Sequence, residues 1–292
     1  MSVILKFALS FEGNDADDHL LDFYDAAEAL RGFQRSLALT AHLVLNGEII
    51  TEAPSLKGAR VMITSPEAGS WKVIAAIGML MSGVSVVGTA SRDSVYGHLA
   101  TSLYDYVINE SLGFHVDFDK TLGMQYEEEV KKRKSIVPVV TQSQADSLIE
   151  KVERSVKQMH RPIYASKTAE QARVVSIFKK QKYPIAVLDA SSYDYLHLTT
   201  ASPHTESFIG KVSSYNINTF KGRVYIPNEQ RPVPFELDER ARDVVTVGRI
   251  TESLRLHALN AGQQFGLIAF TGHRLESSSG RLKQVLITSV SQ

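Results

Sequence analysis

The sequence predicts an α+β protein. It reads as a small antiparallel sheet with long helices at the front, a basic helical hairpin in the middle and a small β-barrel-like module at the back. Three observations predict this. Apolar residues alternate with period two at the start of the chain, recur at helical spacing over the long stretches that follow, and gather into short glycine- and proline-punctuated runs from Ser207 onward. The expected divisions are residues 1–119, 120–184 and 185–292.

At the front, Val3, Leu5, Phe7, Leu9 and Phe11 alternate with Ile4, Lys6, Ala8 and Ser10, the pattern of a half-buried strand. Glu12-Gly13-Asn14-Asp15 is a turn. A long helix follows, with Asp15, Asp17 and Asp18 where carboxylates favour the free N–H groups of a helix start. Leu20, Phe23, Ala27, Leu30, Leu37, Ala41 and Val44 form its expected buried stripe, and Asn46-Gly47 is its stop. Two strands come next, over residues 59–65 and 70–75, joined by the turn Pro66-Glu67-Ala68-Gly69. The only tryptophan, Trp71, starts the second.

Residues 73–90 carry no charge over 18 positions and include three glycines. Read as a helix, the segment puts Gly78, Ser82 and Val86 on one face and Gly83 and Val87 together. Small residues at this spacing allow close helix approach, so a core or oligomer-interface helix is expected, with membrane insertion as the alternative. A second apolar helix carries Val95, Leu99, Leu103, Tyr106 and Val107 and stops at Leu112-Gly113.

The middle segment opens on a charge switch, Glu127-Glu128-Glu129 into Lys131-Lys132-Arg133-Lys134. Ser143 with Asp146 resembles a capping box. The amphipathic helix it opens has Ala145, Leu148, Ile149, Val152, Val156 and Met159 on one face and Lys151, Arg154 and Lys157 on the other; Pro162 ends it. A second basic helix is expected over residues 167–181, with Ala172, Val175, Ile177 and Phe178, and with Lys179, Lys180 and Lys182 at its C-terminal end. Beyond Pro184 the sequence reads as strand, including an alternation of Tyr193, Tyr195, His197 and Thr199. In the terminal module the expected order is β-β-β-α-β-β, with Val244, Val247, Ile250, Leu254 and Ala258 marking the helix.

Composition bounds the chemistry. The chain has 292 residues and no cysteine, which excludes a disulfide framework, a thiol nucleophile and thiolate metal ligation. A reducing, cytoplasmic setting fits this, and the first residues lack the basic lead and continuous apolar run of a signal peptide. Net charge is zero but unevenly placed: residues 1–119 carry −8, residues 120–184 carry +7 and residues 185–292 carry +1. Such a dipolar chain suggests head-to-tail contacts between copies, or an anionic partner for the middle segment.

No G-x-S-x-G, phosphate loop or dinucleotide fingerprint is present, and no cofactor is expected. His115, Asp117 and Asp119 alternate and could share a strand face as hard-metal ligands. Asp15, Asp18, His19, Asp22 and Asp25 cluster near the first helix; as a nuclease-like carboxylate set they would need a basic partner in space, and helix-start electrostatics accounts for most of the cluster. The terminal module carries the best ligand-facing pattern: Lys211, Tyr215, Asn216, Lys221, Arg223, Arg231, Arg281 and Lys283. Cations interleaved with aromatics on a curved sheet suit a partner protein or single-stranded nucleic acid.

The spacing G-K-V-x-x-Y-N followed by K-G-R-V resembles the first hairpin of cold-shock and other OB-type barrels. The Glu67-Ala68-Gly69-Ser70-Trp71 hairpin, with Asn216, Gly222-Arg223 and Gly280-Arg281-Leu282-Lys283, resembles uncharacterised two-domain bacterial proteins of mobile-element or phage-defence loci. That resemblance implies an accessory or effector role. The expectation is a non-enzymatic, self-associating protein, a homo-oligomer whose C-terminal module binds a partner. A membrane-disrupting effector using residues 73–90 and a metal-dependent nuclease are the alternatives.

Overall fold

The computed structural model describes residues 3–63, 71–79, 95–114, 140–259, 265–277 and 280–291. The chain divides into two compact units, Met1–Tyr193 and Asp194–Gln292.

The first unit is built on a five-stranded antiparallel sheet. Its strands are β1 (Val3–Glu12), β2 (Ala59–Ile63), β3 (Trp71–Met79), β4 (Gln171–Phe178) and β5 (Gln181–Leu188), in the order β2-β3-β1-β4-β5. The alternating β1 sits at the centre, where Leu5, Phe7, Leu9 and Phe11 are all buried. Phe7 meets the Tyr104 ring edge-on at 5.0 Å and Phe11 meets Trp71 at 5.7 Å. Packed with the sheet are α1 (Phe23–Asn46), α2 (Val95–Ser111), α3 (Gln142–Met159) and the single turn α4 (Arg161–Tyr164).

Helices α1 and α3 approach at Gly32, where a Cβ would lie 2.4 Å from the Ser155 carbonyl oxygen. Beside it, the Arg35 guanidinium donates to the Lys151 carbonyl at 2.7 Å and to Ser155 Oγ at 2.8 Å. A buried hydrogen bond of 2.9 Å between Ser36 Oγ and the Tyr104 hydroxyl ties α1 to α2. The expected apolar face of α3 is buried throughout.

Several sequence expectations are corrected. α1 starts at Phe23 with Asp22 as its cap, accepting from the Asp25 N–H at 2.9 Å, and a 3-10 turn (Asn14–Asp18) precedes it. The start of the expected stripe therefore turns outward: Leu20, Phe23 and Ala27 are exposed, while Asp25, Ala26, Ala29 and Phe33 face inward. The capping box of α3 is Thr141 with Gln144, not Ser143 with Asp146. Residues 171–178 form strand β4 instead of the second helix of a hairpin. Ala172, Val174 and Ser176 are buried at period two, and β-branched residues fit a strand that pairs with β1 on one side and β5 on the other.

Residues 190–197 form α5 (Ala190–His197) where alternation suggested a strand. Asp189 and Ser192 open it with reciprocal bonds: each backbone N–H donates to the other's side chain at 2.8 Å. Residues 73–79 lie in β3, so Gly78 pairs with Val3 and Arg60 as a strand residue and does not line a helix face. Ser82, Gly83, Val86 and Val87 lie outside the described residues, as do the 66–69 turn, the 127–134 charge switch and the His115, Asp117 and Asp119 set. Among the described residues no helix is long and apolar enough to cross a membrane.

The second unit contains a closed barrel. Its strands are β6 (Thr200–Asn216), β7 (Lys221–Ile226), β8 (Arg231–Leu237), β9 (Leu267–Glu276) and β10 (Leu282–Ser291), in the order β10-β8-β7-β6-β9. β10 runs parallel to β8 and antiparallel to β9, which closes the ring. Helix α6 (Val244–Ala258) connects the third strand to the fourth, capped by Asp243, whose carboxylate accepts from the Val245 and Thr246 N–H groups. This connectivity is that of an OB-type barrel. Val212, Val224, Val233, Phe235, Phe270, Val285 and Ile287 fill the interior, with Ile250 of α6 against them. β8 tolerates Pro232 and Pro234 because its ladder with β10 covers only residues 235–237.

A buried imidazole makes the first unit acid-sensitive. His42 Nδ1 accepts the Lys57 backbone N–H at 3.1 Å, so neutral His42 carries its proton on Nε2, which finds no partner among the described residues. Burial pushes its pKa below the ordinary 6.5. The unfolded chain then takes up a proton that the folded state resists. Stability is full above pH 6.5 and falls as pH drops below it. His42→Asn, which keeps an acceptor for Lys57, is expected to flatten the pH dependence of the melting temperature between pH 7 and 5.

Candidate partner-binding face

The register of β6, β7 and β8 sorts the residues singled out from the sequence by side of the sheet. Val212 pairs with Val224, and Tyr215 with Gly222, on the inward rows. The outward rows are Lys211 with Tyr225 and Pro232, Ser214 with Arg223 and Pro234, and Asn216 with Lys221 and Glu236. Lys211, Asn216, Lys221 and Arg223 therefore share the outer face.

Most of these groups already serve the fold. Lys221 lies 3.4 Å from Glu236, which also meets Arg242 at 3.6 Å. Asn216 Oδ1 accepts the Asn218 N–H at 3.0 Å and holds the β6–β7 turn. Arg223 is buried, and its carbonyl accepts from Ser213 Oγ. Tyr215 packs against the barrel core, its ring stacked with Phe235 at 6.1 Å, and burial pushes its hydroxyl pKa up. The Arg231 guanidinium donates to the Leu282 carbonyl in a buried contact that links β8 to the start of β10.

Arg281 and Lys283 lie elsewhere. Both cations approach the Tyr195 ring, at 5.8 and 5.3 Å, and Lys283 Nζ donates to the Leu198 carbonyl and to Thr199 Oγ1.

What the outer face presents around Lys211 is apolar. Tyr225 and Leu267 are its direct cross-strand neighbours, and Ile209 stands two residues away on the same side of β6. Ile209 is 59% exposed, Leu267 40% and Tyr225 37%. The sequence reading missed all three. The signal was available in the alternation of Phe208 and Val212 against Ile209 and Lys211, which leaves an isoleucine on the outer side.

The carboxylates near α1 do not converge. Asp15 and Asp18 are exposed, His19 closes the 3-10 turn in a left-handed conformation and Asp22 is a cap. Asp25 is buried and accepts from the Arg161 guanidinium at 2.8 Å. Among the described residues no three His, Asp or Glu side chains are grouped to hold a metal ion.

A family model described as "Domain of unknown function (DUF7946)" matches residues 7–197, which cover the first unit from Phe7 onward and all of α5. The chain belongs to this family. A second model, "Family of unknown function (DUF7947)", matches residues 204–291, the barrel. Searches of curated proteins and of solved structures found no match. The DUF7946 match runs to the end of α5, just past the boundary between the units, and the DUF7947 match begins within β6.

Proposed function

We propose that the chain is a non-enzymatic binding protein whose DUF7947 barrel recognises a partner protein through the outer face of β6, β7 and β9. The observation that carries this reading is the grouping of Ile209, Tyr225 and Leu267 around Lys211 on adjacent outward positions. A contiguous apolar patch that includes an aromatic ring suits a protein-binding surface, because it gains most from excluding water. The nearby cations favour protein over nucleic acid as the ligand. Arg223 and Arg231 are buried, and Lys221 has a carboxylate partner, so few charges are left to meet a row of phosphates. An accessory role of the kind seen around mobile elements is compatible with such a module.

The test compares the full-length protein with Ile209→Asp/Tyr225→Ser. The wild type is expected to retain a discrete protein from a lysate of its source cells, and the variant to lose at least about tenfold of that retention, the effect of removing one interface hot spot. Both should melt at the same temperature, since neither side chain is in the core. Short DNA and RNA, titrated across a salt series, serve as the counter-test. Binding that falls steeply with salt and disappears in Lys211→Ala would reassign the face to nucleic acid.

A further inference from the structure

Charge is unevenly placed on the sheet of the first unit. At one end of the sheet β1 leaves Glu12 and the chain turns through Asp15, Asp17, Asp18, Leu20 and Asp22 into Phe23 and Tyr24 at the start of α1. Phe23 is 89% exposed, Leu20 64% and Tyr24 63%. The exposed carboxylates of Asp15, Asp17, Asp18 and Asp22 rim this apolar surface; Asn14 holds the Lys167 backbone beside it, and Arg173 of β4 pairs with Glu12 at 3.0 Å. Arg161 is taken up by Asp25 and lies over the Tyr24 ring at 5.0 Å.

The opposite end of the same sheet is cationic. β4 runs antiparallel to β1 from Gln171 beside Glu12 to Phe178, a rise of roughly 25 Å for its length. There Lys179 and Lys180 form a two-residue turn into β5. Lys6 and Lys182 both pair with Ile177, one from each side. All four lysines are exposed.

We propose that the first unit associates head to tail with a second copy of itself, the acidic aromatic end of one receiving the lysine tip of the next. The chemistry matches on both counts: ammonium groups pair with the rim carboxylates and lie against aromatic faces, as Lys179 already does over Phe178 at 4.9 Å. A side chain as large and as exposed as Phe23 gains from being covered. The contact joins two different surfaces, so each bound copy keeps one free end and assembly continues to a ring or a filament. This inference stands apart from the barrel reading and uses none of its residues.

The turn supplies a variant that separates assembly from folding. Lys179 and Lys180 hold φ of +46° and +67°. A hairpin turn of this kind favours Asn-Gly, and lysines there are strained. Lys179→Asn/Lys180→Gly is therefore expected to melt at a higher temperature while losing two of the four charges. In sedimentation of the full chain, the wild type should form species that grow with concentration and dissociate as salt is raised. Both Lys179→Asn/Lys180→Gly and Asp15→Lys/Asp18→Lys should require at least tenfold higher concentration to assemble. Mixed together, they should form a one-to-one complex that grows no further, because one intact end remains on each. A wild type that stays monomeric at every concentration overturns the proposal. So does a mixture that forms no complex, or an effect confined to the aspartate variant, which would mean that the acidic end takes a foreign cationic partner.

Discussion

Phe235→Ala is expected to destabilise the barrel by about 3–5 kcal/mol, the combined loss of an aromatic side chain's transfer energy and the cavity it leaves. Phe235 is 1% exposed and stands on the inward row of β8. Its ring lies so close over Gly222 that a Cβ there would meet Cζ at 2.7 Å, and it stacks on Tyr215 from the strand beyond. Tyr215, Gly222 and Phe235 are thus one cross-barrel layer, two rings closing over a glycine. Collapse cannot fill the gap cheaply, because Gly222 would have to move against the Ser214 carbonyl, 2.2 Å from the position of a Cβ. The sole tryptophan, Trp71, lies in the first unit, so its fluorescence reports on that unit. The expected result is a lowered transition in far-ultraviolet circular dichroism with an unchanged tryptophan transition. An unshifted dichroism transition would contradict the layer.

Gly32→Ala is expected to act on the other unit. Helix propensity alone predicts a gain of about 1 kcal/mol for alanine over glycine in a helix interior. Packing reverses the sign. The new Cβ would lie 2.4 Å from the backbone oxygen of Ser155 and 3.0 Å from Gln158 Cβ. A backbone atom inside a helix cannot step aside, so α1 and α3 must separate. The Arg35 bonds to Lys151 and Ser155 stretch with them. Overpacking of this kind costs typically about 1–3 kcal/mol and occasionally more. The net expectation is a loss of about 2 kcal/mol, read as a lowered tryptophan transition with the barrel unmoved. A rise in melting temperature would mean that the helices do not touch at Gly32.

Both variants turn on contacts that no local pattern announces, and the same division runs through the fold. The alternation in β1, the apolar face of α3 and the strand order with one helix in the terminal module were legible because each buries one side of a single element. Period two or 3.6 then appears directly in the sequence. Residues 171–178 misled because a short run rich in apolar residues fits both periods. The unpaired edge of β1 decided for the strand, and the Lys179-Lys180 turn into β5 completed it. Residues 193–199 misled in the opposite direction, since the Asp189 and Ser192 cap outweighed a weak alternation.

The candidate face was half legible. Lys211, Asn216, Lys221 and Arg223 do share one side of β6 and β7, since cross-strand neighbours follow from hairpin register. Their availability was not legible. Glu236 reaches Lys221 from β8, and burial encloses Arg223, through neighbours that arrive only when the sheet curls. Likewise Tyr215 looked like a stacking platform and is a core ring, because the bulge between Val212 and Ser214 shifts the phase of β6.

By itself, then, the sequence determined the α+β class, the terminal barrel and the uneven charge, all of which depend on residue type and spacing along one strand or helix. The tertiary structure alone decided which lysines and arginines are consumed by the fold, that Ile209, Tyr225 and Leu267 meet around Lys211, and that the Asp15–Asp22 turn and the Lys179-Lys180 turn stand at opposite ends of one sheet. These are relations between residues far apart in the chain. They are set by strand register and closure, which the whole set of pairings fixes together.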